Sequence, residues 1–487
     1  MYKFPCGIPS RAFFSADNEK LYVRQFGVNG QIDVLSVKTG ALLARLMVDD
    51  GGDWIASIPE GFYSGTEKGA SEFIHMVDGM KVSELGQYAQ TLYRPDLVAA
   101  KLDGYDLSKL GNSVKLSDLA ASGDAPLVQF ANIPAASASR DATVNFTVQN
   151  QGGGIGSVYI KLNGKVIQIA DGSRKLALEG AAAIPAKKSG GAAISFSQPV
   201  TLQNGENIIE AYATNAAGKI ESRRAVTKII WNGATQKPNL YVLSVGVNKY
   251  RDRSLWLQYS VPDAEAVSQA LGSKKSSLYQ NVFTYGLFDG DVTKEGFSAQ
   301  FSQLSSKVGA DDVFILFIAG HGTTNQKTGD YYFIPSNFRY TDSDAIISQG
   351  VSKDDILKYM SQIKAGKTLI MLDTCNSGAF TNDKSMRGFA EKSALERLVR
   401  STGQAILTAA SEEQAAMEGY NGHGIFTYVL LEALNGKADR NKDGYLTLNE
   451  LANYIEEQVP ELSYQKWGYE QVPMKELRKQ DFPLVGK

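Results

Sequence analysis

Four unbroken apolar runs dominate the second half of the chain: NLYVLSVGV from Asn239, VFILFIAG from Val313, TLIMLDT from Thr368 and QAILTAAS from Gln404. A strand with one solvated face alternates apolar and polar residues, whereas a run without polar positions must be covered on both faces. Between the runs lie DAEAVSQALGSK, KDDILKYMSQIKAG and ALERLVRSTG, whose apolar residues recur at helical spacing. Strands alternating with helices predict a mostly parallel sheet sandwiched between helices. In such sheets ligands bind at the carboxyl ends of the strands. The residues that follow VFILFIA and TLIML are therefore the ones to inspect.

They are Gly320-His321-Gly322 and Asp373-Thr374-Cys375-Asn376-Ser377-Gly378. Glycine on each side of His321 lets the backbone approach a substrate and leaves the imidazole uncrowded. A cysteine after an apolar strand is most often an inert core thiol, and a histidine between glycines is often only a turn residue. Together, on strand ends of one sheet, they make a nucleophile and its base. The imidazole would draw the proton from Cys375 and later protonate a leaving amine. The backbone N–H groups of Gly322 and Cys375 would be the donors to an oxyanion. No third side chain that would orient the imidazole is legible, so a dyad held by a backbone carbonyl is expected.

The first half reads differently. KLYVRQF, QIDVLSV and GALLARLMV, separated by GVNG and KTG, read as strands and turns, and residues 1–120 are expected to form a small β-rich subdomain with a linker. From residue 121 to 234 the segments ATVNFTVQN, GSVYIKLNGKVIQIA, AAISFSQPVTL and NIIEAYATNAAGKI alternate with period two between NG, QNGE and NAAG turns. That pattern predicts a small antiparallel sandwich, with AAAIPAKKSGGAA as a loop insertion. Residues 235–487 hold the α/β domain.

At 487 residues and a net charge of −2, the chain is expected to hold several cores and offers no bulk attraction to nucleic acid or acidic lipid. No run approaches about 18 consecutive apolar residues, so no transmembrane helix is expected. MYKFPCGIPSRAFF does not read as a signal peptide, and two distant cysteines, Cys6 and Cys375, do not make a disulfide framework. A cytoplasmic location is the expectation.

AGHG followed by LDTCNSG resembles the His and Cys motifs of caspase-like peptidases on the metacaspase side. VLSVGVNKY, PDAEAV and AASEEQAAMEGYNGHGIFTYVLLEAL are similar to the bacterial members. The resemblance runs from about Asn239 to the C-terminus. DWIASIPEGFYSG and LYRPDLVAAKL resemble the segment joining WD-repeat-like sheet to such domains, and the middle region resembles an Ig-like module. The resemblance implies a caspase fold and a cysteine endopeptidase. Asp263 matches the second acidic position of the metacaspase specificity pocket, beside Asp373. Two carboxylates in one pocket select Lys or Arg in the substrate, with Arg favoured for its bidentate fork. Read alone, Asp263 would be the N-cap of a helix starting at Ala264, and Asp373 a turn former. Ala319 stands where metacaspases commonly carry serine. His423 looks structural in this family, and His75 reads as structural or surface. A catalytically silent scaffold is the alternative, and acyl transfer to an amine would use the same dyad. No cofactor is needed for the chemistry.

DRNKDGYLTLNE fits the twelve-residue EF-hand loop. Asp439, Asn441 and Asp443 would offer side-chain oxygens, Gly444 the turn, Tyr445 its carbonyl, Thr447 its hydroxyl and Glu450 a bidentate carboxylate. The same segment would also serve as a plain helix connector. FTNDKSMRGFAEKSALERLVR carries Lys384, Arg387, Lys392, Arg397 and Arg400; it reads either as a solvated linker or, for a pocket that prefers basic residues, as a segment for autocleavage around Lys384 to Lys392. The expected partners are a protein or peptide with a basic residue at the cleavage site, and a regulatory protein on the WD-like and Ig-like regions.

Overall fold

The computed structural model describes residues 9–25, 30–78, 80–110, 116–167, 193–234, 236–273, 277–325, 328–376, 387–402, 404–409, 419–477 and 481–486. Six antiparallel strands, from Pro9–Phe14 to Tyr63–Gly65, lie side by side in chain order. Val34, Ala44 and Ile55 line the buried face of this sheet and pack with Leu97 and Val98 of the helix Pro95–Leu102. That helix has proline in its first turn, where the missing N–H costs nothing. Helices Glu67–Glu72, Ala89–Leu92, Pro95–Leu102 and Leu116–Ala120 occupy a stretch that the sequence reads as strands and turns. All are of eight residues or fewer, too short to repeat an apolar stripe.

The middle region holds two antiparallel sheets over one core. One contains Leu127–Phe130, Asp141–Gln149 and Ile194–Thr201; the other contains Val158–Leu162, Lys165–Ile167, Gly205–Ala213 and Ala225–Trp231. Period-two alternation turns Val144, Phe146 and Val148 inward against Ile160, Ile209 and Ala211, and Phe146 stacks on Phe196 at 5.1 Å. The insertion AAAIPAKKSGGAA lies outside the described residues.

The C-terminal sheet is mixed, with eight strands. Its centre is parallel, in the order Val282–Phe288, Leu240–Gly246, Val313–Thr324, Lys367–Asn376, Ala405–Thr408. Met474–Glu476 adds an antiparallel edge, and Tyr331–Phe333 folds back along the end of Val313–Thr324. Helices Lys294–Ser305, Lys353–Gln362 and Arg387–Thr402 cover one face through Phe301, Met360 and Leu398. Helices Ser260–Gly272, Ile425–Glu432 and Leu448–Trp467 cover the other through Val267, Phe426 and Ile455. No helix among the described residues is long and apolar enough to cross a membrane.

Polar anchors join the three parts. From the sandwich, Lys165 donates to the carbonyls of Ile363 and Ala365, the latter at 2.8 Å, and Arg140 pairs with Asp311 at 2.5 Å. From the N-terminal region, Asp96 accepts from Ser393 Oγ at 3.1 Å and Tyr93 gives its carbonyl to Arg397 Nη1 at 2.8 Å. Arg397 also pairs with Asp330, itself paired with Lys353. Arg397, in a segment whose polar sequence reads as a solvated linker, is instead buried in an ion-paired seam.

Candidate active site

His321 and Cys375 are register partners in the parallel ladder between Val313–Thr324 and Lys367–Asn376. Adjacent strands in a sheet lie about 4.8 Å apart. His321 is not past its strand end. The strand runs on to Thr324 because Tyr331–Phe333 pairs with it, and the His321 carbonyl accepts from Ile334 N at 2.9 Å.

The two glycines beside His321 are dictated by tyrosines. At Gly320, which has φ 152°, a Cβ would lie 2.8 Å from Tyr250 Oη; at Gly322 it would lie 2.9 Å from the Tyr331 ring and 3.0 Å from Thr374 Oγ1. Tyr250 Oη accepts the His321 N–H at 2.8 Å, and Tyr331 Oη bonds Thr374 Oγ1 at 3.1 Å. The space that glycine opens is therefore filled by protein, not left for substrate.

The imidazole is oriented by a main-chain group. His321 Nε2 lies 2.9 Å from the carbonyl oxygen of Leu255. A carbonyl only accepts, so Nε2 carries the proton and Nδ1 keeps its lone pair. Nδ1 is buried and has no hydrogen-bond partner among the described residues. Burial lowers the pKa of the ring, against a smaller opposing effect of the Leu255 carbonyl, so the neutral form is favoured. Leu255 ends a short turn, Arg253–Leu255, capped by Asp252 and pinned by Trp256 Nε1 donating to the Tyr250 carbonyl at 2.8 Å.

Both acidic candidates meet one element, the start of helix Ile425–Glu432. Asp263 accepts from Gly424 N at 2.9 Å and from His423 Nδ1 at 2.6 Å. Asp373 accepts from Thr427 Oγ1 at 2.6 Å. Partial positive charge at a helix N-terminus suits both carboxylates. They are 2% and 8% exposed, and burial pushes the Asp373 carboxyl up to about 6 against the hydrogen bonds from Thr427. Asp263 is not a helix cap: the helix runs Ser260–Gly272 with Tyr259 at its N-cap, and Asp263 sits inside its first turns. His75 is exposed on a separate hairpin strand, His75–Asp78.

The Asp439–Glu450 loop is already wound. Gly444 has φ 87° and donates its N–H to Asp439 Oδ2 at 2.9 Å; Tyr445 N donates to Asp443 Oδ1 at 2.8 Å. Glu450 Oε2 accepts from Thr447 N and Oγ1, closing a capping box on helix Leu448–Trp467. Asp439 Oδ1 is buried without a partner among the described residues. As placed, no three His, Cys, Asp or Glu groups among the described residues converge on one point. Of the residues expected around the autocleavage segment, Lys384 lies outside the described residues and Arg387 begins helix Arg387–Thr402, which contains Lys392 and Arg400.

Tyr250, Tyr331 and Thr427 carry no role in the sequence reading, which expects a backbone carbonyl to hold the dyad without assigning it to Leu255 and reads His423 as structural. Tyr250 and His423 lie within quoted motifs, while a backbone carbonyl leaves no residue-type signal at all.

Residues 240–482 match the family model of the caspase domain, peptidase C14. The C-terminal half thus carries a caspase domain, which supports a cysteine-type peptidase. No curated protein matches the chain. Among solved structures, protein GSU0716 from Geobacter sulfurreducens is similar over 51% of this chain and 94% of that chain, at 15% identity and a TM-score of 0.34, a likeness too distant to carry an argument.

Proposed function

We propose that this caspase domain is a metacaspase-like cysteine endopeptidase that cleaves after Arg or Lys. The observation that carries the reading is the cross-strand pair His321–Cys375, with Nε2 tied to the Leu255 carbonyl and Nδ1 left as the acceptor. Nδ1 takes the thiol proton as sulfur attacks the scissile carbonyl carbon. The oxyanion is met by the N–H groups of Gly322 and Cys375. The protonated Nδ1 then gives its proton to the leaving amine, and water hydrolyses the thioester by the same route in reverse. A silent scaffold is not favoured, because the histidine and the cysteine are both retained.

Basic specificity is supported by Asp263 and Asp373, two buried carboxylates that both bond the start of helix Ile425–Glu432. A substrate guanidinium would complete the pair and keep Asp373 ionised. Calcium is proposed as a regulator in the Asp439–Glu450 loop. The wound turn and the buried Asp439 Oδ1 fit that ion; Asp439, Asn441, Asp443, Tyr445, Thr447 and Glu450 would hold it. Autocleavage between Lys384 and Lys392, and partner binding through the WD-like and Ig-like regions, belong to the same proposal. Fluorogenic peptides ending in Arg, Lys or Asp, with and without calcium, test it in wild type and Cys375→Ala. Turnover of Arg and Lys peptides that the variant lacks is expected. Cleavage after Asp alone would overturn the specificity, and turnover retained in Cys375→Ala would overturn the mechanism.

A further inference from the structure

Tyr331–Phe333 is three residues long, at the short end for a strand, yet it carries two of the contacts nearest the dyad. Its first residue donates Tyr331 Oη to Thr374 Oγ1 at 3.1 Å, one position before Cys375. The residue that follows it donates Ile334 N to the His321 carbonyl at 2.9 Å. The start of the strand is anchored by the turn before it. Asn325 N donates to the Asp330 carbonyl at 3.0 Å, and Gly329, at φ 71°, lies so close to the N-terminal region that a Cβ would sit 2.9 Å from Arg94 Nε. The Asp330 carboxylate accepts from Arg397 Nε at 3.1 Å and pairs with Lys353 Nζ at 3.3 Å. Arg397 also donates Nη1 to the Tyr93 carbonyl at 2.8 Å and Nη2 to the Gln90 carbonyl at 3.3 Å. Gln90 in turn gives its side-chain amide to Glu221 of the sandwich at 2.9 Å. All three parts of the chain therefore meet at the turn that leads into Tyr331.

We propose that Asp330 and Tyr331 are positioning residues for the nucleophile, and that the N-terminal region, through Arg397, helps set the geometry between Cys375 and His321. The inference rests on the dyad proposed above and deepens it by naming what holds it in place. The contacts form one continuous series: the Gln90 and Tyr93 carbonyls, the Arg397 guanidinium, the Asp330 carboxylate, the Tyr331 hydroxyl and the Thr374 hydroxyl. Losing a link frees the start of the strand, and misplacing reacting atoms by about 1 Å lowers a rate up to roughly a hundredfold. Burial works against ionised Asp330, but Lys353 and Arg397 outweigh it, so the link keeps its charge at neutral pH. A role in stability alone would lower the unfolding temperature and leave the chemistry of the folded protein unchanged.

The test follows alkylation of Cys375 by iodoacetamide across neutral pH in full-length Cys6→Ser protein, which leaves Cys375 as its one cysteine. The reagent is not a peptide, so the readout does not depend on the proposed specificity, and each variant is read well below its unfolding temperature. Imidazole raises the thiolate fraction near neutrality, whereas above the ordinary thiol pKa of about 8.5 the thiol ionises without help. Asp330→Asn and Tyr331→Phe should each slow alkylation roughly tenfold at about pH 6.5 and converge on the parent rate above about pH 9. Tyr331→Phe leaves the ion pairs in place, so it tests the series even where Asp330→Asn does not fold. Combined, the two should slow the reaction no further than the larger single effect, because one path carries both. Arg397→Lys keeps a charge beside Asp330 and gives up the fork to Tyr93 and Gln90, so it should fall between. Val144→Ala, in the sandwich core, lowers stability away from the series and should leave the pH profile unchanged. A parent rate indifferent to His321→Ala would remove the dyad and this inference with it. A His321-dependent rate left intact by Asp330→Asn and Tyr331→Phe would overturn this inference and leave the dyad standing, and an equal loss in Val144→Ala would likewise overturn it.

Discussion

Asp373→Asn should stabilise the caspase domain at neutral pH while impairing cleavage after Arg. Asp373 is 8% exposed, and burial raises its pKa from an ordinary 3.8 to about 6. Between those values the folded state holds a proton that the unfolded state releases, so stability falls as pH rises through the window and levels off above it. One pKa unit is about 1.4 kcal/mol, which makes the cost of ionised Asp373 at pH 7 roughly 3 kcal/mol. Asparagine keeps an oxygen for Thr427 Oγ1 and carries no charge. Its gain should therefore be near zero at about pH 4 and approach roughly 3 kcal/mol at pH 7. Urea midpoints at both pH values, measured in a Cys375→Ala background to prevent self-cleavage, give the difference directly. A variant less stable than its parent at pH 7, or an equal gain at both pH values, would refute the reasoning. In the Cys375-intact enzyme, Arg-peptide turnover should rise through about pH 6 as Asp373 ionises, whereas in Asp373→Asn only the rise from His321 losing its proton, below the ordinary imidazole value, should remain.

Gly320→Ala puts a Cβ 2.8 Å from Tyr250 Oη and should cost about 1–3 kcal/mol in thermal unfolding, with lost turnover. Adding Tyr250→Phe removes the nearest contact and leaves the Phe333 ring at 3.1 Å, so the double variant should lose less than the two singles together. Arg397→Met leaves the Asp330 carboxylate with Lys353 only and unpairs the Tyr93 carbonyl; about 3–5 kcal/mol should be lost, seen as faster limited proteolysis of the N-terminal region. Lys353 and Arg397 hold the Asp330 pKa below its ordinary value despite burial, so this contribution should fade as pH falls into the acid range. Calcium should raise the unfolding temperature of wild type and not of Asp439→Asn with Glu450→Gln, and an equal shift in both would remove the loop from the account.

The parallel centre of the sheet was legible because a strand buried on both faces has no polar position to disguise it. His321 and Cys375 were legible for a related reason: a titratable residue directly after such a run stands out against it. That a backbone carbonyl would hold the histidine was expected for want of a third side chain; which residue supplies it was not legible. Its orienting partner is the carbonyl of Leu255, and any residue type supplies a carbonyl. The glycines beside it suggested open space, but Tyr250 and Tyr331, distant in sequence, fill that space. The convergence of Asp263 and Asp373 depends on helix Ile425–Glu432 arriving late in the chain, and nothing local to either aspartate encodes it. Arg397 misled because charge usually marks solvent; three acceptors gathered from two regions pay for its burial. The helices of residues 67–120 were lost to brevity.

The most direct test of the account is the site of covalent capture. Wild-type protein treated with a peptidyl-arginine acyloxymethyl ketone should gain a single adduct, which peptide mass spectrometry should locate on Cys375. His321→Ala should label far more slowly, and the matching aspartyl reagent should label poorly. An adduct on Cys6, labelling indifferent to His321, or equal capture by the aspartyl reagent would contradict a His321-activated Cys375 in an acidic pocket.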